Sequence, residues 1–254
     1  MSTTLIVLAH PDKRSFNGAW ADATERAAIA QGDTVLWSDL YAMGFHPAEA
    51  AARYPDWEDA TQFDPLKAQE DRAQSDRLPL DVAGEIAKIR QADRVVFHFP
   101  LWWFAPPAIL KGWFDRAFAH GALHSVEQRF DTGLCRGKTA LFCVTTGSRA
   151  EESAFNGKEG DVQMLLWPAA YTLRYLGFTV LVPRIVHGVH GFHKGARRQE
   201  LETRLQDVLQ GQADLLASCD TRACLPFNAD DDFDAQGRLL PDRASHSPFI
   251  RQRE

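Results

Sequence analysis

The sequence predicts an α/β fold of the doubly wound class, in which helices cover both faces of a parallel sheet. Short apolar runs without polar alternation recur along the chain, as is typical of strands buried on both sides, and segments with helical period lie between them. The strand candidates are residues 5–9, 34–37, 94–99, 139–145 and 178–186. The helix candidates are residues 16–30, 82–91, 107–119, 162–176 and 196–218. We therefore expect five parallel strands joined by right-handed crossovers.

The first strand and the first helix are the most clearly predicted elements. Residues 5–9 are continuously apolar, and residues 16–30 follow with many alanines at helical spacing. The same alternation then repeats, from the run at 94–99 to the apolar strand candidate at 139–145 and the last one at 178–186. Each strand is followed by a segment long enough for a crossover helix, except where a long polar stretch intervenes after the second strand.

A single domain with one appendage is expected. The chain has 254 residues, of which 45% are hydrophobic, and this is enough for one sizeable core. We assign residues 1–218 to that domain and residues 219–254 to a surface tail. Residues 41–80 are polar and too long for an ordinary connection, so they form either a functional excursion or a partly ordered flap.

Composition excludes several classes of protein. The four cysteines form no C-x-x-C pair, so neither a disulfide framework nor a zinc site is expected. The net charge of -6 comes with no basic stripe, which argues against a nucleic-acid partner. The N-terminus lacks a charged leader region, and the longest uncharged stretch, 95–110, contains three prolines and is too short to span a bilayer. We expect a cytoplasmic protein without membrane insertion.

Parallel sheets of this class bind ligands at the carboxyl ends of their strands, so the loops there are candidate sites. The loop after the first strand, residues 9–17, combines Pro11, Ser15 and Asn17 with two basic residues, which suits either a phosphate group or an ordinary helix cap at Ser15. The loop after the third strand, 99–107, is dense in aromatic residues and prolines. It predicts contact with a planar ligand or another subunit, the alternative being a purely hydrophobic lid.

The fourth strand ends in Thr145-Thr146-Gly147-Ser148, where hydroxyls and a close-approaching backbone could reach the polar edge of a ring. Other sites are poorly supported. No G-x-G-x-x-G occurs, and residues 133–139 are one residue short of a P-loop. His187, His190 and His193 lack carboxylate or cysteine partners nearby, so we expect no metal.

Six segments together point to a family. They read LIVLAH at 5–10, SFN at 15–17, SDLYAM at 38–43, FPLWWF at 99–104, PAILKGWF at 107–114 and LWP at 166–168. In this order they resemble the NAD(P)H dehydrogenase (quinone) family, which includes DT-diaphorase and the bacterial modulator-of-drug-activity and Kef-ancillary reductases. The resemblance runs from about residue 5 to about residue 201.

The resemblance implies a flavodoxin-like fold and a tightly bound FAD, with FMN in some relatives. It also implies ping-pong, two-electron hydride transfer from NAD(P)H through flavin N5 to a quinone or similar xenobiotic acceptor. The residues that it assigns to the cofactor are His10, Ser15, Phe16, Asn17, Pro100, Leu101, Trp102, Trp103, Phe104, Thr145, Thr146, Gly147, Ser148, Arg197 and Leu201. Arg197 and Leu201 match the positions that touch the adenosine part, which favours FAD over FMN.

The resemblance further implies a homodimer whose two subunits share the acceptor pocket. Its substrate-binding positions are Trp103, Phe104, His124, Val126 and Tyr175. Mammalian relatives place a Tyr and a His, six residues apart, beside the flavin; the corresponding catalytic positions here are Ser153 and Glu159. Glu159 would add negative charge where the reaction already develops negative charge on the flavin. Either its side chain turns away from the flavin, or another hydrogen-bond donor stabilises that charge.

Two other classes of function are compatible with the sequence. Some relatives are ancillary regulatory subunits of potassium-efflux systems, and residues 41–80 together with the acidic tail could serve such a role. A flavodoxin-like electron carrier without a substrate of its own is the third hypothesis.

Overall fold

The structure, a computed structural model, describes residues 1–54, 57 and 62–252. Its strands are β1 (Thr3–Leu8), β2 (Thr34–Asp39), β3 (Arg94–Pro100), β4 (Thr139–Thr145), β5 (Thr179–Val180) and β6 (Arg184–Val186). Its helices are α1 (Phe16–Ala30), α2 (Pro65–Gln74), α3 (Leu80–Gln91), α4 (Ala108–Ala117), α5 (Val162–Tyr175), α6 (Ala196–Gln210) and α7 (Gln212–Ala217). None of the helices in these described ranges is long and apolar enough to cross a membrane.

All strands pair in parallel, in the order β2-β1-β3-β4-β5, and β6 pairs with β4 beyond β5. The chain order reverses at β1, since β2 lies on one side of it and β3 on the other. This arrangement confirms the predicted doubly wound parallel sheet. It also creates a crevice at the carboxyl ends of β1 and β3, where such sheets bind their ligands.

The prediction of one continuous fifth strand over 178–186 was wrong. Ala140 pairs with Val180, but Cys143 pairs with Arg184, so three residues of the outer strand lie opposite two residues of β4. One extra residue of this kind is a β-bulge. Pro183 lies in the interrupted stretch and has no N–H to donate to the ladder, which divides the strand into β5 and β6.

The prediction of one helix over 196–218 was also wrong, because α6 ends at Gln210 and α7 begins at Gln212, with Gly211 between them. The reason lies in Gln212, a buried polar residue. Its side chain accepts a hydrogen bond from Trp20 Nε1 at 2.6 Å and donates one to Thr24 Oγ1 at 2.8 Å, both on α1. Satisfying these buried groups fixes the direction of α7 against α1.

The long polar stretch 41–80 contains a helix that the sequence reading missed, and part of the stretch lies outside the described residues. Helix α2 begins at Asp64, whose carboxylate accepts from the N–H groups of Leu66 and Lys67. The fully buried Arg116 of α4 donates to His46 O at 2.9 Å and to Asp81 at 2.6 Å. The described part of the stretch is thereby attached to the body of the domain.

The core has one layer on each face of the sheet. Along β3, Val95, Phe97 and Phe99 pack into the layer that contains Trp113, whereas Val96 points to the opposite layer. The tail runs along the outer edge: Leu225 N donates to Val180 O, and Val182 N donates to Ala223 O, both at 2.8 Å. Further on, Phe249 stacks on Trp167 with ring centroids 4.7 Å apart. The tail therefore covers the edge that β5 would otherwise expose.

Candidate functional site

The loop from β1 to α1 presents free backbone donors at a helix start. Ser15 is the N-cap of α1, and its hydroxyl accepts from Gly18 N at 3.2 Å. Within the part of the chain that the structure describes, the N–H groups of Phe16 and Asn17 have no partner. Sequence reading missed Gly18: a Cβ there would lie 1.9 Å from Lys13 O, so the turn requires glycine. Unpaired N–H groups at the positive end of a helix suit a phosphate group.

The two basic side chains of this loop are already paired. Arg14 forms an ion pair with Asp12 at 2.8 Å, and this contact lowers the pKa of Asp12 to about 2. Lys13 lies 3.5 Å from Asp22. His10 folds back within the loop, its Nδ1 lying 3.1 Å from Asp12 N. Any phosphate here would be held by backbone N–H groups more than by these two side chains.

The aromatic loop after β3 is a tight, strained turn. Trp102 and Ala105 exchange two backbone hydrogen bonds of 3.0 Å, and the residues between them have positive φ, 48° at Trp103 and 63° at Phe104. Bulky residues rarely adopt this conformation, which is normally left to Asn or Gly. Trp103 is 94% exposed. Strain of this kind together with exposed aromatic surface is characteristic of a ligand-binding loop.

The end of β4 is tied to the start of α1. Thr145 Oγ1 donates to Asn17 Oδ1 at 3.0 Å, both side chains being buried. The other end of the amide, Asn17 Nδ2, is buried without a partner among the described residues. Next to this pair, a Cβ at Gly147 would meet no atom within 4 Å, so the backbone there borders open space. A polar ligand at this place would accept a hydrogen bond from the buried donor and lie against the open backbone.

These elements surround a cavity of about 390 Å³ at the carboxyl edge of the sheet. Its lining residues are Pro100, Leu101, Trp102, Trp103, Thr145, Thr146, Gly147 and Val189. Indole rings on one side and backbone amides with threonine hydroxyls on the other fit a flat ring with a polar edge, as in a flavin. We name this space the ring cavity. Phe104, Ser148 and the predicted residues of the β1–α1 loop do not line it directly.

A second cavity, of about 560 Å³, lies between β6, the loop after it and α6. Arg197 and Leu201, the two predicted adenosine positions, both line it. His187 lines it too, and its Nδ1 lies 3.1 Å from Thr146 Oγ1 of the ring cavity. Burial, followed by the nearby Arg204, lowers the pKa of His187. A residue of one cavity therefore contacts a residue of the other, and we name the second one the arginine cavity.

The two predicted catalytic positions differ in their surroundings. Ser153 is buried, and its hydroxyl lies 2.5 Å from the hydroxyl of Ser148, next to Gly147. Glu159 is half-buried, and its N–H donates to Glu152 O at 2.9 Å. Its carboxylate forms no ion pair with any described residue. Only Ser153 is linked to the predicted flavin loops.

The predicted substrate residues are divided between two places. His124 and Tyr175 have ring centroids 5.4 Å apart and line a separate cavity of about 410 Å³ beside α4 and α5. Burial, followed by the neighbouring His120, lowers the pKa of His124. Val126 is 65% exposed. Neither His124, Val126 nor Tyr175 lines the ring cavity, so one chain does not bring them to Trp103 and Phe104.

Over the described ranges, no group of three or more His, Cys, Asp or Glu side chains could hold a metal ion. Of the three loop histidines, His190 and His193 stack on each other with centroids 3.9 Å apart.

The fold and the strand-end cavities define a protein of the flavodoxin-like class, and residues 2–210 match the family model described as flavodoxin-like fold. The chain is 40% identical over 183 residues to human ribosyldihydronicotinamide dehydrogenase [quinone], covering 71% of this chain and 79% of that protein. It is 37% identical over 200 residues to NAD(P)H dehydrogenase [quinone] 1 of Rattus norvegicus, covering 78% and 73%.

A solved structure from Klebsiella pneumoniae, assigned as a quinone reductase, superimposes with a TM-score of 0.84. The identity is 29%, and the match covers 95% of each chain. The chain thus belongs to the NAD(P)H dehydrogenase (quinone) family, as its motifs predicted.

Proposed function

We propose that this protein is a flavin-dependent NAD(P)H:quinone oxidoreductase with FAD as its cofactor. The observation that carries the proposal is the ring cavity at the carboxyl edge of the sheet, which the aromatic loop and the open backbone at Gly147 line. Asn17 Nδ2, unpartnered among the described residues, lies next to it, because the same amide accepts from the lining residue Thr145. Membership of a family whose relatives are named quinone dehydrogenases supports it. When bound, the flavin supplies the two-electron chemistry, taking hydride from NAD(P)H and passing it to the acceptor in a ping-pong sequence.

The residues of the chain would bind and orient the cofactor. In the proposal, the free N–H groups of Phe16 and Asn17 hold the pyrophosphate at the start of α1, with Ser15 fixing the turn and His10 bordering it. The indole rings of Trp102 and Trp103 would lie against the flat ring and exclude water from one side. Phe104, the next residue of the same loop, is exposed beside them.

Donors from the β4 loop would stabilise the negative charge that develops on the polar edge of the ring. The N–H groups of Gly147 and Ser148 have no backbone partner in the described ranges, and they lie beside the hydroxyls of Thr145 and Thr146. Ser153 would act through Ser148, since the two hydroxyls share a hydrogen bond. Glu159 makes no described side-chain contact with these groups, so we assign it no step.

The adenosine half of FAD would occupy the arginine cavity along Arg197 and Leu201, which is the reason for preferring FAD to FMN. The acceptor pocket would be completed in a cytoplasmic homodimer. In that dimer, the aromatic loop of one copy, with Trp103 and Phe104, would approach the other copy at His124, Val126 and Tyr175. A single chain does not make these contacts.

The test is to purify the protein, extract and identify its chromophore, and follow NAD(P)H oxidation after adding a soluble quinone. We expect bound FAD and quinone-dependent turnover. A colourless protein that neither FAD nor FMN reconstitutes contradicts the proposal. Flavin without quinone turnover would favour the electron-carrier alternative, and normal transporter regulation after deletion of residues 41–80 and the tail would argue against the regulatory-subunit alternative.

A matched pair of variants tests the position of the ring. A side chain at Gly147 would enter open space, and the same is true of Gly191, which lies outside the ring cavity. Gly147→Val should leave the fold intact and weaken flavin binding at least about ten-fold, because its methyl groups would occupy the space of the ring edge. Gly191→Val should bind flavin like the wild type. Equal flavin affinity of both variants would place the ring elsewhere.

A further inference from the structure

The arginine cavity carries more positive charge than a neutral adenosine group needs. Arginine side chains from three elements line it: the loop after β4, strand β6 and helix α6. They are Arg149, Arg184, Arg197 and Arg204. Two carboxylates, Glu151 and Glu200, also line it, so the formal charges of the lining remain positive in sum.

Most of these guanidinium groups are unpaired. Arg149 lies 3.2 Å from Glu152 and is neutralised in this way. Arg184, Arg197 and Arg204 form no ion pair with any residue in the described part of the chain. By contrast Arg198, on the solvent side of the same helix, pairs with Glu202 at 2.8 Å. Three like charges that line one concave surface without carboxylate partners favour the binding of an anion there.

The loop after β6 packs against Arg204, which lines the cavity. Arg204 Nη2 lies 3.5 Å from the position that a Cβ of Gly188 would take, so it rests against this backbone. Gly188 N in turn donates to Ser148 O at 2.8 Å. Arg204 therefore packs against the same loop that borders the ring cavity through Val189.

We propose that the arginine cavity binds a phosphate group in addition to the flavin, held mainly by Arg184 and Arg204. Guanidinium groups match phosphate oxygens in geometry and charge. The group is separate from the flavin pyrophosphate, which the proposed function places at the start of α1, and neither arginine lines the ring cavity. The proposal rests on the proposed function only for the identity of the neighbouring flavin. The phosphate is either free or part of a nucleotide.

The test is calorimetric titration of inorganic phosphate into the flavin-loaded protein in a phosphate-free, low-salt buffer. We expect saturable binding, weakened at least about ten-fold in the double variant Arg184→Gln, Arg204→Gln, because charge-assisted hydrogen bonds are lost. The matched control Arg198→Gln should bind phosphate normally, since its guanidinium lies outside the cavity. Circular dichroism and thermal melting check that each variant is folded.

Three results would overturn the proposal: no binding of phosphate, unchanged binding in the double variant, or binding only after the flavin has been removed. The last result would assign the arginines to the cofactor itself. Parallel titrations with AMP distinguish the two sources, because tighter binding of AMP than of phosphate indicates a nucleotide and equal binding indicates a free anion. Quinone turnover is measured separately, so an absence of turnover leaves the titration of the flavin-loaded protein interpretable.

Discussion

The replacement Asn17→Asp separates the fold from cofactor binding. In the wild type, Asn17 Oδ1 accepts from Thr145 Oγ1 at 3.0 Å, and Nδ2 is buried without a described partner. Aspartate keeps an acceptor for Thr145 but exchanges the unpartnered donor for a carboxylate oxygen. If Nδ2 donates to the cofactor, flavin binding should suffer more than stability.

The expected magnitudes follow from these contacts. A hydrogen bond to a charged group contributes about 1.5–3 kcal/mol, so its loss should weaken flavin binding roughly 10- to 100-fold, and carboxylate–phosphate repulsion adds to this. Burial of the new carboxylate costs stability, and the favourable interaction of an aspartate with the positive end of α1, whose first turn has no acidic residue, offsets part of that cost. The variant Asn17→Ala, in contrast, leaves Thr145 without its acceptor and should cost about 1–3 kcal/mol of stability.

The assay pairs fluorescence titration of flavin into stripped protein with thermal melting of the same samples. We expect a large loss of flavin affinity in Asn17→Asp, with a smaller drop in melting temperature than in Asn17→Ala. Wild-type flavin affinity in this variant would refute the role given to Nδ2. A drop in melting temperature as large as that of Asn17→Ala would refute the argument from Thr145.

The remaining predictions concern the core. Trp113→Ala should destabilise the protein by about 3–5 kcal/mol in urea unfolding, because Trp113 is fully buried and donates to Glu85 at 2.8 Å; a loss below about 1 kcal/mol would contradict the packing described. Burial lowers the pKa of His98 from 6.5 to about 3, so the folded state binds fewer protons than the unfolded state between these values, and stability falls as the pH decreases through that window. In His98→Gln the difference in unfolding free energy between about pH 7.5 and about pH 4.5 should be smaller than in the wild type, and an unchanged difference would exclude His98 as its source.

Most of the sheet could be predicted because its signals are local. The strand β3, for example, is buried along its whole length and contains a nearly continuous apolar run, which is typical of a strand covered on both faces. Two predictions were wrong, the continuous fifth strand and the continuous last helix, and both have causes in parts of the chain distant in sequence. The bulge at Pro183 is fixed by the register against β4, and the break at Gly211 by the buried contacts of Gln212 with α1. Helix α2 was missed because its sequence is almost entirely polar.

The loops of the candidate site were also predictable, since the carboxyl ends of parallel strands converge at one edge. The hydrogen bonds and ion pairs within these loops could not be predicted from the sequence. The unpartnered Asn17 Nδ2 depends on a contact with Thr145, 128 residues away in sequence, and the pairing of Arg14 with Asp12 depends on the conformation of the loop. The signal for Gly18 was present in the run Ser-Phe-Asn-Gly, where a small residue allows the close turn against Lys13.

The most direct test of the central claim is an anaerobic titration of the purified protein, monitored by its visible absorbance. The account predicts that roughly one equivalent of NADH or NADPH per bound flavin bleaches the flavin band and that a soluble quinone then restores it. Absence of a flavin band that can be bleached, or a bleached band that quinone leaves unchanged, would contradict it.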